Sequence, residues 1–589
     1  MIASALSSVV PKFLMPLTGA GELERTYRKL QRMDATQPIT ERLLDHLQVT
    51  YRLGQRDLQQ IPRKGSVIVV ANHPFGILEG AVLATILLTV RPDVRILANS
   101  VLAAVPELRD LVIPVDPMGT CDSARRSVSG LRKAIEFVAQ GGLLVVFPAG
   151  EVSHFQWRER EVTDPAWNPA VARLIQAAFR RGAAPSVVPV FVSGSNGALF
   201  QAAGAIHSGL RTALLARELF NKKMKSVDVR IGSVIEGAKL LAIPTAEEQV
   251  EYLRWRTYLL KNREEYKPRT ARPLFARKTV APQPVATPVQ PSLMASEISK
   301  LPPMQVLATS GDLTAYISSA AQTPHVLREI GRLREVTFRA AGEGTGKTSD
   351  TDRFDAHYLH LFLWNERSHE VAGSYRLCGT EVGPERLYTA TLFPYRHAFL
   401  HNLGPALELG RSFVRVEYQK GFTPLLLLWK GIGAYIARNP HYKTLFGPVS
   451  ISNQYQSVSR ELMVTFLERH ASLNEWAGLV RQRHPFRGRT AMPGLPANGC
   501  AVEDLSDMVS DMEPNRAGVP VLLRQYLRLG GKLLGFNVDP EFSNALDGLI
   551  LVDLTKTEPQ LLQRYLGKQQ AAEFLEFQKG NTCHIRKAS

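Results

Sequence analysis

Two groups of side chains in this sequence have the types and spacing for chemistry. The first is Asn72-His73-Pro74-Phe75-Gly76-Ile77-Leu78-Glu79, directly after the apolar run 66–71. A histidine just past the carboxyl end of a buried strand lies where open sheets carry their crevices. Pro74 and Gly76 mark a turn, and Glu79 falls on the next helical turn, within reach of the ring. A neutral imidazole held by a carboxylate takes a proton from a hydroxyl, and the carboxylate stabilises the imidazolium that forms. No serine or cysteine nucleophile is required. A capping histidine beside a solvated glutamate would leave the same two residues, so the pair alone does not decide the matter. The second group comprises Arg334 and Phe338, then Asp352 and Asp355, then Arg376, then Glu408-Leu409-Gly410-Arg411-Ser412. Glu408 and Arg411, three apart, could share one side of a helical turn or pair across a twisted strand. A simple ion pair is the plainer account of those two, since surface pairs are common.

Positioning these groups requires rigid elements. In the first half, strand patterns at 66–71, 94–98, 143–147, 187–192 and 227–231 alternate with helical patterns at 78–88, 123–139, 169–180 and 247–260. Short buried strands separated by helices predict an α/β domain. The second half reads as a helix at 326–336, strands at 360–363 and 371–377, and a helix at 425–438, an α/β or α+β domain on a central sheet. Between them, prolines at 268, 273, 282, 284, 288, 291, 302 and 303 remove amide donors and favour extended backbone. The expected organisation is a domain at 1–266, a Pro-rich linker at 267–303 and a second domain at 304–589.

The composition excludes several classes. At 589 residues the chain is too long for one ordinary domain. With 45% hydrophobic and 21% charged residues it is neither disordered, collagenous nor disulfide-stapled. Cys121, Cys378, Cys500 and Cys583 are widely spaced with no C-x-x-C pair, which excludes the usual zinc ribbons and reads as reduced packing residues. No metal site is expected. The longest apolar run, 80–90, stops at Arg91 and Asp93, short of the ~18 residues a spanning helix needs. One lysine, two early prolines and no clear cleavage site argue against a signal peptide. The net charge is +17, and residues 1–300 hold 39 Lys+Arg against 26 Asp+Glu, with a peak between Arg254 and Lys278. That excess attracts polyanions. Without a helix-turn-helix, C2H2 finger or RNA-recognition signature, nucleic acid is not expected. The expected partner is an anionic membrane surface or an acidic carrier protein, with a merely solvated basic face as the bland alternative.

Three segments of the first half extend the first group: the histidine motif, Phe147-Pro148-Ala149-Gly150-Glu151-Val152-Ser153, and Val188-Pro189-Val190 at strand ends. In order and spacing they resemble the glycerolipid acyltransferase superfamily over roughly residues 50–240. The resemblance implies transfer of an acyl chain from a thioester to a hydroxyl, with His73 as base and Glu79 orienting it. It further implies that Asn72, Phe147, Pro148, Gly150, Glu151 and Pro189 line the substrate site. The sequence departs from the family pattern in three places. The acid lies six residues after the histidine and is glutamate. Ala149 replaces the third motif's glutamate, with no Thr-Arg after Gly150. The second motif's arginine has no counterpart near Val115-Asp116. The last two positions bind glycerol phosphate in typical members, so their loss argues against a phosphate-bearing acceptor.

The second group, with Trp429-Lys430-Gly431-Ile432-Gly433 and the run 445–452, resembles the acyl-homoserine-lactone synthase branch of the GNAT fold, most closely ornithine N-acyltransferases, over about 326–554. The fold implied is a GNAT-like α/β domain. By this resemblance Glu408 receives the α-amino proton, directly or through water. Arg334, Arg376 and Arg411 hold acidic groups of substrate or partner, while Asp352 and Asp355 recognise a cationic amino acid or brace Arg411. Phe338 and Ser412 complete the binding set. Ordinary members bind the pyrophosphate of coenzyme A on a Q/R-x-x-G-x-G/A turn at a helix N-terminus. Here Gly431 and Gly433 supply only the glycines and Leu428 stands where Gln or Arg belongs. That suits the phosphopantetheine arm of an acyl carrier protein as donor, with no bound cofactor.

Together the halves resemble the bifunctional ornithine lipid synthases. This implies N-acylation of ornithine by the C-terminal domain, then O-acylation of the resulting lyso-aminolipid by the N-terminal one. Working on lipids, such an enzyme is expected at the cytoplasmic face of the inner membrane as a peripheral protein. Val9, Val10, Phe13, Leu14 and the stretch 254–278 are the expected contacts. Two alternatives stand beside it: a lactone signal synthase with an inactive N-terminal half, and a non-enzymatic membrane-surface scaffold.

Overall fold

Runs of β-branched residues without Gly or Pro form the middle of the first sheet. VIVVA and LLVV are buried along their whole length, as strands covered on both faces must be. A computed structural model describes residues 19–115, 121–206, 208–263, 282–488 and 501–587. They divide into two units, one of Met1–Tyr266 with Gly494–Gly518 and one of Lys267–Pro493 with Val519–Ser589.

The strands of the first unit are β1 (Thr50–Leu53), β2 (Val67–Ala71), β3 (Val94–Asn99), β4 (Val112–Val115), β5 (Leu143–Val146), a small hairpin β6 (His154–Gln156) and β7 (Glu161–Thr163), β8 (Ser186–Val192), β9 (Ser226–Ile231) and β10 (Ile235–Glu236). The main sheet runs β1-β9-β8-β2-β5-β3-β4, with β10 on β8. Neighbours are parallel except where β8 meets β9 and β10. The helix Leu78–Leu88 is apolar nearly all round and its core-facing residues are buried, so it can only sit inside the domain. Pro189 lies within β8, opposite Val70, and not at its end.

The expectation that 304–589 forms one body needs correcting. Gly494–Gly518 belongs to the first unit, and its helix Val502–Met512 is held there by buried charge. Asp511, fully buried, accepts hydrogen bonds from Arg256 at 3.0 Å, Arg516 at 2.7 Å and the amide of Ser233 at 2.7 Å. Arg263 donates to both oxygens of Asp57 at 2.9 Å and to the carbonyl of Asp511 at 2.6 Å. Arg516 also pairs with Asp57. Two aspartates and three arginines from distant parts of the chain thus form one ion-pair network away from water.

The second unit contains β11 (Val306–Ser310), β12 (Leu313–Ser319), β13 (Leu359–Asn365), β14 (Glu370–Gly379), β15 (Ala406–Val414), β16 (Thr444–Ile451), β17 (Lys532–Asp539) and β18 (Ala545–Asp553). Its sheet runs β11-β12-β13-β14-β15-β16-β18-β17. Only β15 and β16 are parallel, and they pair over three residues, Ala406 to Glu408 against Thr444 to Phe446, before separating. The close approach rests on Gly447, where a Cβ would meet the carbonyl oxygen of Leu409 at 2.1 Å.

The linker is shorter than its prolines suggested. From residue 282 the chain is described, and Pro291–Ile298 is a helix with Pro291 in its first turn, where a missing amide costs nothing. Val289, Met294 and Ile298 are buried in the same cluster as Ile330 and Phe362. The prolines sit where extended backbone or a helix start accepts them, so their density did not mark disorder throughout.

Candidate active sites

The turn after β2 sets the first site. Gly76, at φ +104°, takes a conformation that strains other residues, and a Cβ there would meet Leu215 at 2.8 Å. Glu79, fully buried, accepts from the amides of Phe75 at 3.0 Å and Gly76 at 2.9 Å. Its Oε1 also lies 2.8 Å from Nδ1 of His73, off the line of the ring N–H, a close polar contact more than a linear hydrogen bond. With Nδ1 turned to the carboxylate, Nε2 carries the lone pair in the neutral tautomer that this contact favours. The ring stacks on Phe147 at 4.5 Å.

Burial opposes a charged imidazolium, but the Glu79 carboxylate, with a smaller contribution from Asp164, outweighs it, and the His73 pKa stands above its ordinary value. Burial likewise opposes the charge on Glu79, and His73 with the Gly76 amide overcomes it, holding Glu79 below the usual range. A base must be neutral to accept a proton, so transfer by this site is lost as pH falls through the raised His73 pKa. In Glu79→Gln burial acts unopposed by that carboxylate. The acid limb of the pH–rate profile should move to lower pH while the plateau rate falls, which steady-state rates between pH 5 and 9 would read.

The other expected residues of this site serve the loops. Asn72 exchanges hydrogen bonds with the backbone of Val192, at 2.9 and 2.7 Å, and ties β2 to β8. Gly150, at φ +66°, closes a turn onto Phe147, Pro148 accepts from the amide of Asn168 at 2.8 Å, and Glu151 is exposed. Pro189 is inside the sheet, opposite Val70. A pocket of about 250 Å³ opens nearby, lined by Asn72, Ser153, Ser193, Arg230 and Tyr258.

In the second unit, a register shift between β14 and β15 falls opposite Arg411, which sits at φ +48°. Such a bulge re-aims a side chain. The Arg411 guanidinium lies 4.9 Å from the ring centroids of both Tyr388 and Phe542 and donates to the Tyr388 hydroxyl at 3.2 Å. Phe338 supports this sandwich from behind, edge-on to Phe542 at 5.1 Å. Asp355 accepts from Arg334 at 2.8 Å and Arg376 at 3.2 Å, and Asp352 accepts from Arg376 at 2.7 Å. Burial would raise the Asp355 pKa, but these two fully buried arginines reverse that and hold it far below the usual range. The two aspartates therefore brace arginines and are not free to recognise a cationic substrate, while Asp350 and Asp352 stand 3.6 and 4.0 Å from Arg411. Ser412 flanks the Tyr375 hydroxyl.

Glu408 does not pair with Arg411. It is buried, with Tyr358 donating to one oxygen at 2.7 Å and the Thr389 amide to the other at 2.8 Å. Burial raises its pKa, but its enclosed carboxylate touches no open surface for a substrate, which corrects the expectation of direct proton transfer. Besides Asp350 and Asp352, two further carboxylates, Asp539 and Asp547, feel the Arg411 charge. Asp547, on β18, accepts from Ser450 at 2.7 Å, and burial with the nearby Asp539 charge pushes its pKa up to about 7. Burial, then Asp547, pushes Glu343 up to about 8. Asp539 is raised by burial as well. Charge on these groups is poorly compensated within the protein.

The comparisons with known proteins agree with both halves. An acyltransferase family model matches residues 36–266, and an acetyltransferase (GNAT) domain model matches residues 333–429. A glycine N(alpha)-acyltransferase of Bacteroides thetaiotaomicron is 32% identical over 289 residues, covering 46% of this chain and 85% of its own. The chain belongs to the N-acyltransferase family of that protein. A second glycine N(alpha)-acyltransferase, of Phocaeicola vulgatus, is 36% identical and covers 46% of this chain and 88% of its own. A crystal structure of the 1-acyl-sn-glycerophosphate acyltransferase PlsC from Thermotoga maritima matches at 17% identity and a TM-score of 0.22, covering 41% of this chain and 87% of that one. The protein is an acyltransferase, with an N-terminal acyltransferase domain and a C-terminal GNAT-type N-acyltransferase domain.

Within this N-acyltransferase, Gly431 and Gly433 form no phosphate-binding turn. Both lie inside the helix Thr423–Arg438, where a Cβ would meet Leu361 at 2.8 Å and the Tyr565 carbonyl oxygen at 2.3 Å. They are packing glycines. Sequence reasoning also passed over Asp547, Asp539, Glu343 and, in the first unit, Asp164. Asp547 had a signal: it interrupts the buried run Ala545–Asp553, and a carboxylate in a core strand needs a reason. Part of the basic stretch 254–278 is used internally, since Arg256 and Arg263 hold Asp511 and Asp57. Its residues 264–278, and Val9, Val10, Phe13 and Leu14, lie outside the described residues. Among the described residues no helix is long and apolar enough to cross a membrane.

Proposed function

We propose that this acyltransferase makes an ornithine-type aminolipid. The C-terminal domain moves a 3-hydroxyacyl chain from the phosphopantetheine arm of an acyl carrier protein to the α-amino group of ornithine. The amine nitrogen bonds to the thioester carbon as the C–S bond breaks, and the released proton ends on the thiolate. The N-terminal domain then esterifies the 3-hydroxyl: His73 Nε2 takes its proton, the oxygen bonds to a second thioester carbon, and the thiolate leaving group recovers the proton. The place of action is the cytoplasmic face of the inner membrane, reached peripherally.

The observation that carries the choice of acceptor is the mixed charge around Arg411. One guanidinium boxed by two rings suits an α-carboxylate. Two carboxylates that feel the Arg411 charge, Asp539 and Asp547, suit ammonium groups, and a basic amino acid carries two. Asp547, titrating near neutrality, is matched to accept the α-amino proton. The diverging edges of β15 and β16 offer backbone groups that the amides of a pantetheine arm can pair with.

The names of the two relatives favour a second reading, in which the amine is glycine. Acceptor competition separates the two. Ornithine should be preferred over glycine, and Asp547→Asn should cut that preference roughly 10–100-fold, the worth of a charged hydrogen bond at about 1.5–3 kcal/mol. Since Asp547 is protonated below about pH 7, ornithine KM should rise as pH falls through that value. Mass spectrometry of lipids from an aminolipid-free host expressing the protein tests the whole reading. A glycine lipid would replace ornithine by the second acceptor, and a soluble lactone would reject the lipid product.

A further inference from the structure

Asp164 follows β7 and is fully buried. Its Oδ1 accepts the backbone amide of His73 at 3.1 Å and the hydroxyl of Ser153 at 2.5 Å, and its Oδ2 accepts the indole N–H of Trp167 at 2.9 Å. The Ser153 amide in turn donates to the His73 carbonyl at 2.8 Å. Both main-chain groups of His73 are therefore fixed, and the Phe147–Ser153 loop that stacks Phe147 on the ring is tied to the same carboxylate. The helix Ala246–Leu259 clamps Asp164 from behind: its amide donates to the Tyr258 hydroxyl at 2.7 Å, and Arg254 donates to its carbonyl at 3.1 Å. No described cation pairs with the carboxylate itself, which leaves its negative charge directed at the His73 loop.

We propose that Asp164 is a positioning residue for acyl transfer to the hydroxyl, holding the backbone of the base His73 and adding a second negative charge beside the imidazolium. This rests on the reading of His73 as base. Glu79 meets the ring at Nδ1, while Asp164 fixes where the ring hangs from the sheet. The charged or titratable groups around His73 are Glu79 on the helix Leu78–Leu88, Asp164 after β7, Arg254 and Tyr258 on the helix behind it, and Lys222, which lies over the Phe75 ring at 5.2 Å. Of these, the two carboxylates, Glu79 more than Asp164, favour a charged His73. Removing one carboxylate must therefore move the titration of the base downward.

The test uses the full-length protein with a 3-hydroxyacyl amino-acid amide as acceptor and an acyl-carrier thioester as donor. Asp164→Asn removes the charge and keeps one acceptor oxygen for the His73 amide and the Ser153 hydroxyl, while its amide nitrogen gives up the Trp167 contact. Its acid limb should shift down by about one pH unit, with KM for the acceptor nearly unchanged. Ser153→Ala, which leaves Asp164 charged but loosens it, should lower kcat about 10-fold or more through misplacement of the base, with the pH midpoint unmoved. N-acylation by the same chain should be unaffected in both. A pH profile for Asp164→Asn superimposable on the parent overturns the proposal. So does parent-like kcat in Ser153→Ala, which decides the matter if Asp164→Asn does not fold. His73→Ala separates this from the underlying reading: if that variant keeps full activity, His73 is not the base and the failure lies there. If it is inactive while both other variants behave as the parent, only the role of Asp164 fails.

Discussion

Replacing His73 with alanine is expected to slow acyl transfer by the N-terminal domain by about 10²–10⁴-fold, the usual worth of a general base. Nothing else at the end of β2 can substitute. Glu79 is enclosed and engaged with the Phe75 and Gly76 amides and His73, and Asn72 is committed to the Val192 backbone. The C-terminal domain does not use His73, so N-acylation should continue and a mono-acylated product should accumulate. Quantitative lipid mass spectrometry of cells making the variant reads both steps at once. A normal ratio of diacylated to mono-acylated lipid would remove His73 from the mechanism.

The second large effect is on stability. Asp511→Ala should destabilise the first unit by about 3–5 kcal/mol, the range for breaking a buried ion pair by deleting one partner. The loss is large against a total of about 5–15 kcal/mol for a domain. Arg256, 1% exposed, would keep only the Tyr252 hydroxyl at 2.9 Å, and the Ser233 amide would lose its acceptor. Arg516 would retain Asp57, which limits the damage. Urea unfolding of the full chain, with hydrogen exchange read over the helix Ala246–Leu259, measures it, and a midpoint within error of the parent would show that the network contributes little. A cut at the Pro-rich stretch removes Asp511 and Arg516 together, so a fragment ending at residue 266 should be less stable still.

Much of the first domain could be read from the chain. Its strands are short β-branched runs, and its helix Leu78–Leu88 has the bounds the pattern predicts, because burial on both faces leaves a strong local signal. The His73–Glu79 contact was also legible: a strand end, a turn and one helical turn fix where two residues only six apart can meet. The charged groups of the second domain were legible as types but not as partners. Glu408 and Arg411 look paired in sequence, yet a bulge with Arg411 at φ +48° turns one side chain away from the other, and backbone irregularities of that kind have no residue signature when the residue is arginine.

What only the tertiary structure decided depends on contacts between distant parts of the chain. Asp352 and Asp355 brace Arg334 and Arg376, Gly431 and Gly433 let a helix approach Leu361 and Tyr565, and Asp547 feels the charge of Asp539 while Glu343 feels that of Asp547. Residues 501–518 belong with the first domain because Asp511 completes a charge network with Arg256, some 255 residues earlier. Local patterns of hydrophobicity specify which segments become strands and helices. The partner of a buried charge is chosen by the packing that removes both from water, and that choice is made only when the chain has folded.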